Sequence, residues 1–441
     1  MPDTIPGIVI AAPASNSGKT VITLALLRAL TRMGHAIAAA KTGPDYIDPA
    51  FQAAACGDTC VNLDPWAMTP GQIKGLASDH VKDKAFLMCE GVMGLFDGAA
   101  NGDGSTADLA ALANWPVVLV VDVKGQSASA AAVISGFAKF RDDINVAGVI
   151  LNRVGSARHK QMIVDACARH LPDLPILGAV RRSEDLILPE RHLGLVQARE
   201  HPELDAFLDR AADIIADDVD LDALIGLVDQ KDNQSEKSAK QVPMIAPLGQ
   251  HIAVARDAAF AFSYPHILDG WRAAGAEISY FSPLANETPN PDCDAIYLPG
   301  GYPELHGETL ANAAAFKAGM WDAAKSGVLI YGECGGYMAL GKGLVDATGT
   351  RHEMLGLLPL ETSFASRRLH LGYREAQLGM PTPFGPAGMK LRGHEFHYAT
   401  TVSEDGVPFC RMKTANGLDL GPAGLAEGRV FGSFFHMIAQ S

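Results

Sequence analysis

Val9 to Thr20 reads VIAAPASNSGKT. Its last three residues, Gly18, Lys19 and Thr20, match the close of a phosphate-binding loop. There backbone N–H groups cradle phosphate oxygens, the lysine reaches the β- and γ-phosphates, and the hydroxyl ligates Mg²⁺. The start does not match, because Pro13 stands where G-x-x-x-x-G-K-[ST] has its first glycine. Ala14, Ser15, Asn16 and Ser17 are nevertheless small enough for tight wrapping, so an ATP site is expected at Ser17, Gly18, Lys19 and Thr20. Two further stretches carry acids, KTGPDYIDP from Lys41 to Pro49 and CEGVMGLFDG from Cys89 to Gly98. At strand ends beside a phosphate loop, Asp45, Asp48 and Glu90 become metal or catalytic candidates. Thr20, Asp48 and Glu90 are then the expected Mg²⁺ ligands, and Tyr46 and Asp97, in the same turns, are substrate or catalytic candidates. Asn152, closing VILN, is expected to read the adenine edge by analogy with other phosphate-loop proteins. Far downstream, VLIYGECGGYMALG surrounds Cys334 with Gly332, Gly335 and Gly336. Small residues permit the sharp strand-to-helix turn that exposes a nucleophile, and a helix N-terminus favours the thiolate. A thiolate that attacks an amide needs a base, and His394, His397 and His436 all qualify on chemistry alone.

The elements that position these residues follow from the apolar runs. GIVIAA, HAIAAA, KAFLMCEG, PVVLVVD and VAGVILN are uniformly apolar, and segments such as KTVITLALLRALTRMG have helical spacing between them. That alternation predicts a doubly wound parallel sheet buried on both faces. The acid-bearing turns follow the second and third predicted strands. A second α/β series, HIAVARD, AEISYFSP, CDAIYLPGG and GVLIYGECGG, restarts after LVDQKDNQSEKSAKQVPM, whose polar centre reads as an exposed linker. The expected layout is residues 1–226, a linker at 227–247, and 248–441, each domain an α/β fold with a mostly parallel sheet flanked by helices. No repeat of fixed period is present.

Composition limits the partners. The 441 residues carry a net charge of −14, with 48% hydrophobic and 20% charged residues. Nucleic acid and an anionic membrane surface are poor fits to that charge, and small molecules are the expected ligands. Met1 to Ile10 lacks a secretory pattern and no apolar run reaches the ~18 residues of a spanning helix, so a cytoplasmic chain is expected. Cys56 and Cys60 sit in a loop-like segment without a second pair at zinc spacing, and all cysteines except Cys334 read as buried free thiols.

APASNSGKT, KTGPDYIDP, EGVMGLFDG, LPERHLGL, AIYLPGGYPELH, GECGGYMALG and GHEFHY together resemble the cobyrinic or hydrogenobyrinic acid a,c-diamide synthases of corrin biosynthesis, nearly end to end. The resemblance implies a dethiobiotin-synthetase-like phosphate-loop domain, which explains the unusual loop, followed by a class I glutamine amidotransferase domain. It implies ATP, L-glutamine and Mg²⁺, an acyl phosphate on a corrin polycarboxylate, and two amidations at the c and a acetate chains. It assigns Cys334 and His436 as the catalytic pair, with Gly301 and Gly335 N–H groups as oxyanion donors. Such a substrate needs cations, and Arg367, Arg368, His370 and Arg374 in SRRLHLGYR, with Arg191 and His192 in PERHLG, supply candidates. The chain departs from many class I amidotransferases at Ile438, where they place a glutamate that orients the histidine. A Cys–His pair without that acid, its tautomer fixed by another group or left loose, and slower glutamine hydrolysis are therefore expected. An internal route for ammonia between the domains is a further expectation. Cobyric acid synthase shares the two-domain plan, but GPDYIDP favours the a,c-diamide type, and the loop style favours a metal-free ring. A partitioning-type switch ATPase would not need Cys334. The sequence leaves the assembly state, a homodimer included, open.

Overall fold

A computed structural model describes residues 5–188, 198, 203–228 and 244–441, and the backbone of 190–191 and 194–195. The centre of the expected linker, the side chain of Arg191, and His192 lie outside the described residues. The chain divides into two compact units, Met1–Gly98 with Gly102–Ala239, and Lys240–Ser441 with Ala99–Asn101.

The first unit is built on seven strands: β1 Gly7–Ala11, β2 Ile37–Thr42, β3 Cys60–Leu63, β4 Phe86–Glu90, β5 Val117–Asp122, β6 Val146–Val154 and β7 Ile176–Arg181. All pair in parallel, in the order β3-β2-β4-β1-β5-β6-β7. β1, β2 and β4 are buried throughout, as uniformly apolar runs with helices on both faces must be. Chain order reverses around β1, since β2 and β3 lie to one side and β5 to β7 to the other. The segment after β1 therefore occupies the crevice at the carboxyl ends where such sheets bind ligands. It opens α1, Lys19–Arg32, whose Leu24, Leu26, Leu27 and Leu30 are fully buried. α1 is apolar nearly all round because the helix Leu204–Asp218 covers its outer side with Phe207, Leu208 and Ile215. β3 and α2, Asp48–Cys56, correct the loop-like reading of Cys56 and Cys60: Cys56 ends the helix and Cys60 starts the strand. β3 has only four residues, too few for a periodic signal. It also makes the acid-bearing β4 the fourth strand rather than the third.

The second unit has a six-stranded sheet in the order Glu277–Phe281, His251–Ala255, Ala295–Leu298, Leu329–Glu333, Val430–Ser433, Leu425–Glu427. The first five strands are parallel and the last is antiparallel. A five-stranded antiparallel sheet, from Asp419–Ala423 through Cys410–Thr414, His370–Leu378 and Lys390–His397 to Phe435–Gln440, adds to the expected plan. In GHEFHY, His394 and His397 lie within the strand Lys390–His397. The ends of the expected linker are packed as well. Val228 joins the first unit's core, and the Ile245 carbonyl accepts the Trp271 indole N–H at 3.1 Å.

Candidate active sites

In the first unit the backbone turns from β1 into α1 through two left-handed residues, Asn16 at φ 63° and Gly18 at φ 83°. Those are the positions where the loop needs conformational freedom, and Pro13 is not one of them, so the missing glycine does no harm. Gly18 is required twice over, because a Cβ there would stand 2.3 Å from the Asn152 amide nitrogen. The Ser17 hydroxyl donates to the Ala14 carbonyl at 2.8 Å and stiffens the loop. Asn152, at the end of β6, donates to the Ser17 carbonyl at 2.8 Å and accepts from the Arg153 N–H with its oxygen. The amide nitrogen thus braces the loop, while the oxygen is held by the chain's own next N–H. Arg153 adds a second brace on the Asn16 carbonyl at 2.9 Å while paired to Asp122 at 2.6 Å.

Lys19 and Thr20 open α1 beside a dense charge cluster. Glu90 Oε1 accepts from Thr20 Oγ1 at 2.7 Å and Lys41 Nζ at 3.0 Å and lies 3.2 Å from Lys19 Nζ, while Oε2 accepts from Gln52 at 2.5 Å. Asp48 accepts from Lys41 at 2.5 Å and Thr20 at 3.3 Å. Burial, followed by the charge of Lys41, lowers the Lys19 pKa. Burial also opposes the charge of Lys41, but Asp48, Glu90 and Asp45 raise its pKa well above the usual lysine value. Asp48 is raised by burial first and Asp45 second. Thr20, Asp48 and Glu90 thus gather three hard oxygens in one corner, a donor set that fits Mg²⁺. Asp45 Oδ1 accepts the N–H groups of Ile47 and Asp48 at the start of α2, and Oδ2 lies 3.7 Å from Lys41. Tyr46 is half-buried beside it. Asp97 is exposed and closes the Gly94–Asp97 turn, its carboxylate accepting the Gly94 N–H at 2.9 Å. A cavity of about 800 Å³ opens on the loop, with Lys124, Arg153, Arg181 and Arg182 in its wall beside Lys19 and Lys41. Cations so placed suit phosphate oxygens. Lys41 and Gln52 were missed by sequence reasoning, although a lysine ending the alanine-rich run IAAAK was a legible signal.

In the second unit Cys334 sits at φ 47°, ψ −102° between the strand Leu329–Glu333 and the helix Gly335–Leu340. This strained turn is the expected nucleophile elbow. Cys334 is buried, its N–H bonds the Ser433 carbonyl at 2.8 Å, and its sulfur lies 3.7 Å from the Phe396 carbonyl. A Cβ on Gly335 would stand 2.9 Å from the Gly301 nitrogen, so the two expected oxyanion donors are neighbours. Gly300 leaves room for the imidazole of His436, since a Cβ there would meet His436 Cε1 at 2.5 Å and Cys334 Cβ at 3.4 Å. His436 and Cys334 share a side-chain hydrogen bond. Burial opposes charge on this ring, but Cys334 and then Glu333 raise its pKa to about 10.

The rival histidines have other partners. His394 pairs directly across from His436, stacks on it at 4.9 Å, and hydrogen-bonds the Tyr264 hydroxyl through Nδ1 at 3.3 Å. Burial and then the charge of His436 push its pKa well down. His397 bonds the Ala399 carbonyl through Nδ1 and Glu395 through Nε2, each at 3.1 Å. His370, Glu395 and His397 bring donor atoms within 4.8 Å of one another. Arg374 holds the second Glu395 oxygen at 2.7 Å, so the group is already an ion-pair network. Arg367 and Arg368 are exposed just before the strand His370–Leu378. Of the two alternatives left open for the ring, another group or none, the first has a candidate: Glu333 Oε2 lies 3.7 Å from His436 Nδ1. The acid is on the nucleophile's own strand, one residue before Cys334, and a search at the usual place, Ile438, could not find it.

Residues 8–196 match the CobQ/CobB/MinD/ParA nucleotide binding domain family, and residues 251–441 match the CobB/CobQ-like glutamine amidotransferase domain family. A hydrogenobyrinate a,c-diamide synthase of Brucella suis is 56% identical over 438 residues, covering 98% of each chain. The protein of that name from Rhizobium meliloti is 53% identical over 435 residues, covering 98% of this chain and 99% of the relative. A solved structure of PurLQS from Thermotoga maritima is 20% identical, with a TM-score of 0.30, over 43% of this chain and 87% of that one.

Proposed function

The chain belongs to the hydrogenobyrinate a,c-diamide synthase family, and we propose that it amidates the c and a acetate carboxylates of hydrogenobyrinic acid with ATP and L-glutamine. The observation that carries this reading is the presence, in one chain with such relatives, of both a phosphate loop flanked by Lys19 and Lys41 and a cysteine elbow against His436.

The first unit is the synthetase. Its loop N–H groups, Lys19 and the cavity's arginines hold the triphosphate, and Lys41 steadies the carboxylates around the reacting phosphoryl group. Thr20, Asp48 and Glu90 would hold Mg²⁺, which neutralises phosphate charge. A substrate carboxylate oxygen attacks the γ-phosphorus, the bond to ADP breaks, and an acyl phosphate results. The second unit is the glutaminase, with Cys334 and His436 as its catalytic pair and Gly301 and Gly335 as its oxyanion donors. It hydrolyses glutamine to glutamate and ammonia, and ammonia displaces phosphate from the acyl phosphate to leave the amide. Arg367 and Arg368 are candidates for the remaining corrin carboxylates. Among the described residues no helix is long and apolar enough to cross a membrane, and the cytoplasm, where ATP and glutamine are supplied, is the proposed location.

The test is direct. Hydrogenobyrinic acid and cobyrinic acid are offered separately with ATP, Mg²⁺ and glutamine, and products are identified by mass. The expected result is a diamide from the metal-free acid. Amidation of the cobalt-containing acid alone would reverse the substrate assignment, and more than two amidations would favour the cobyric acid synthase reading.

A further inference from the structure

Ile438 occupies the place where many class I amidotransferases carry the acid that orients the catalytic histidine, and it is fully buried. We infer that Glu333 performs this task from the opposite direction: its carboxylate holds the His436 ring, so that Cys334, His436 and Glu333 form the working set of the glutaminase. The inference rests on the glutaminase reading of the second unit.

The geometry is specific. Glu333 Oε2 faces His436 Nδ1 at 3.7 Å, which leaves the other ring nitrogen for the Cys334 sulfur. The carboxylate is itself fixed, because the Tyr297 hydroxyl donates to Oε2 at 2.9 Å and the Met437 N–H donates to Oε1 at 3.2 Å. Met437 follows His436 in sequence, so a single carboxylate addresses both the ring and the backbone of the histidine's strand. The register explains how it reaches. Glu333 pairs with Ser433 in the parallel sheet, and the chain needs only Phe434 and Phe435 to cross to His436. Glu333 is 1% exposed. A carboxylate so buried is costly without a cation nearby, and the imidazolium of His436 supplies one. The distance is longer than a hydrogen bond, but catalytic contacts in unliganded sites are often long and tighten when substrate binds.

The chemistry balances without any further reactant. The sulfur attacks the glutamine amide carbon with its proton already held on His436, and Glu333 stabilises that imidazolium. That proton leaves with ammonia as the C–N bond breaks. Water, deprotonated by the same ring, then cleaves the thioester to glutamate. Glu333 touches neither glutamine nor the sulfur in this scheme and is a positioning residue.

The experiment compares Glu333→Gln and Glu333→Asp with wild type in glutamine hydrolysis across pH, and ammonium-driven synthesis reports folding. For Glu333→Gln, kcat should fall roughly 10²-fold, less than the ~10⁴ of serine triads because the thiolate–imidazolium pair is already ionised, with KM within about threefold. The alkaline limb of kcat/KM should move down by about one unit or more, since an imidazolium without its carboxylate loses its proton sooner. Glu333→Asp, which keeps the charge, should recover at least about tenfold of the loss and return the limb toward its wild-type position. A folded Glu333→Gln protein with kcat within about threefold of wild type and an unmoved limb overturns the inference. So does a Glu333→Asp protein no better than Glu333→Gln. If Glu333→Gln fails to fold, the limb of Glu333→Asp against wild type decides alone: a limb in place supports the inference and a limb shifted down overturns it. Glutamine hydrolysis that survives Cys334→Ala would instead remove the glutaminase reading itself, whatever Glu333 does.

Discussion

Lys41 shows how much one side chain can hold together. It is 2% exposed and lies within 3.7 Å of the carboxylates of Asp45, Asp48 and Glu90. Replacing it with the similarly shaped Lys41→Met leaves two buried acids facing each other across Thr20. The expected loss is about 3–5 kcal/mol of stability in the first unit, the cost typical of breaking a buried pair from one side. Thermal unfolding should register that as a fall of roughly 10 °C. Amidation should fail with glutamine and with ammonium alike, and a Lys41→Met protein as stable and active as wild type would remove Lys41 from the site. His436 yields a pH signature of the opposite kind. Its pKa is raised from 6.5 to about 10, so the stability it contributes is complete below the unfolded value and is lost as pH rises through the folded one. Denaturant unfolding between pH 7 and 10 should therefore show stability falling with pH, and the slope should be shallower in Glu333→Gln. Equal slopes would mean that Glu333 does not hold the ring's charge. Chemistry-bearing residues were legible where type and turn coincided, as at Lys19, Thr20 and Cys334. Glu333 was not, because it ends an apolar strand and acts by reaching across to a neighbour, which spacing along one strand does not encode. Lys41 left a signal in its run IAAAK, but its partners Asp45, Asp48 and Glu90 lie outside its strand and were not readable from it.

At the scale of elements, the parallel strands were legible because burial on both faces makes them uniformly apolar, GIVIA and VVLVVD being typical. The antiparallel sheet was not. Its strand KLRGHEFH buries His394 and His397 against Tyr264, His436 and Phe434, so polar letters occupy inward positions and the period-2 signal disappears. The phosphate loop offers a test of element-level assembly. Its shape depends on the end of β6, since Asn152 occupies the space beside Gly18 that any side chain would need. Gly18→Ala combines that clash with a φ of 83° and should displace Asn152 and loosen the loop. The expected outcome is a folded protein, by circular dichroism, whose KM for ATP rises at least about tenfold for both nitrogen sources. Unchanged ATP kinetics would show that the loop does not depend on this contact.

Across the whole molecule, the proposed function assigns two chemistries to different compact units: a cation-rich pocket for phosphoryl transfer, and a buried Cys–His pair for amide hydrolysis. The net charge of −14 makes the local concentration of cations around the first site meaningful, because the surface at large would repel a polycarboxylate. Paired variants separate the two activities. Lys19→Ala removes the cation at the transferring phosphoryl group and should abolish amidation with either nitrogen source, since both consume the same acyl phosphate. Cys334→Ser should behave differently. A neutral hydroxyl is a far poorer nucleophile than a thiolate, so glutamine-dependent synthesis should drop by at least ~10³-fold. The first unit would still form acyl phosphate, and ammonium at mildly alkaline pH, where more of it is NH₃, should restore the same a,c-diamide. Product formation is measured for each variant with each nitrogen source, with circular dichroism to establish folding. If folded Cys334→Ser fails equally with ammonium, the sulfur serves the synthetase reaction, and the division of labour between the units must be redrawn.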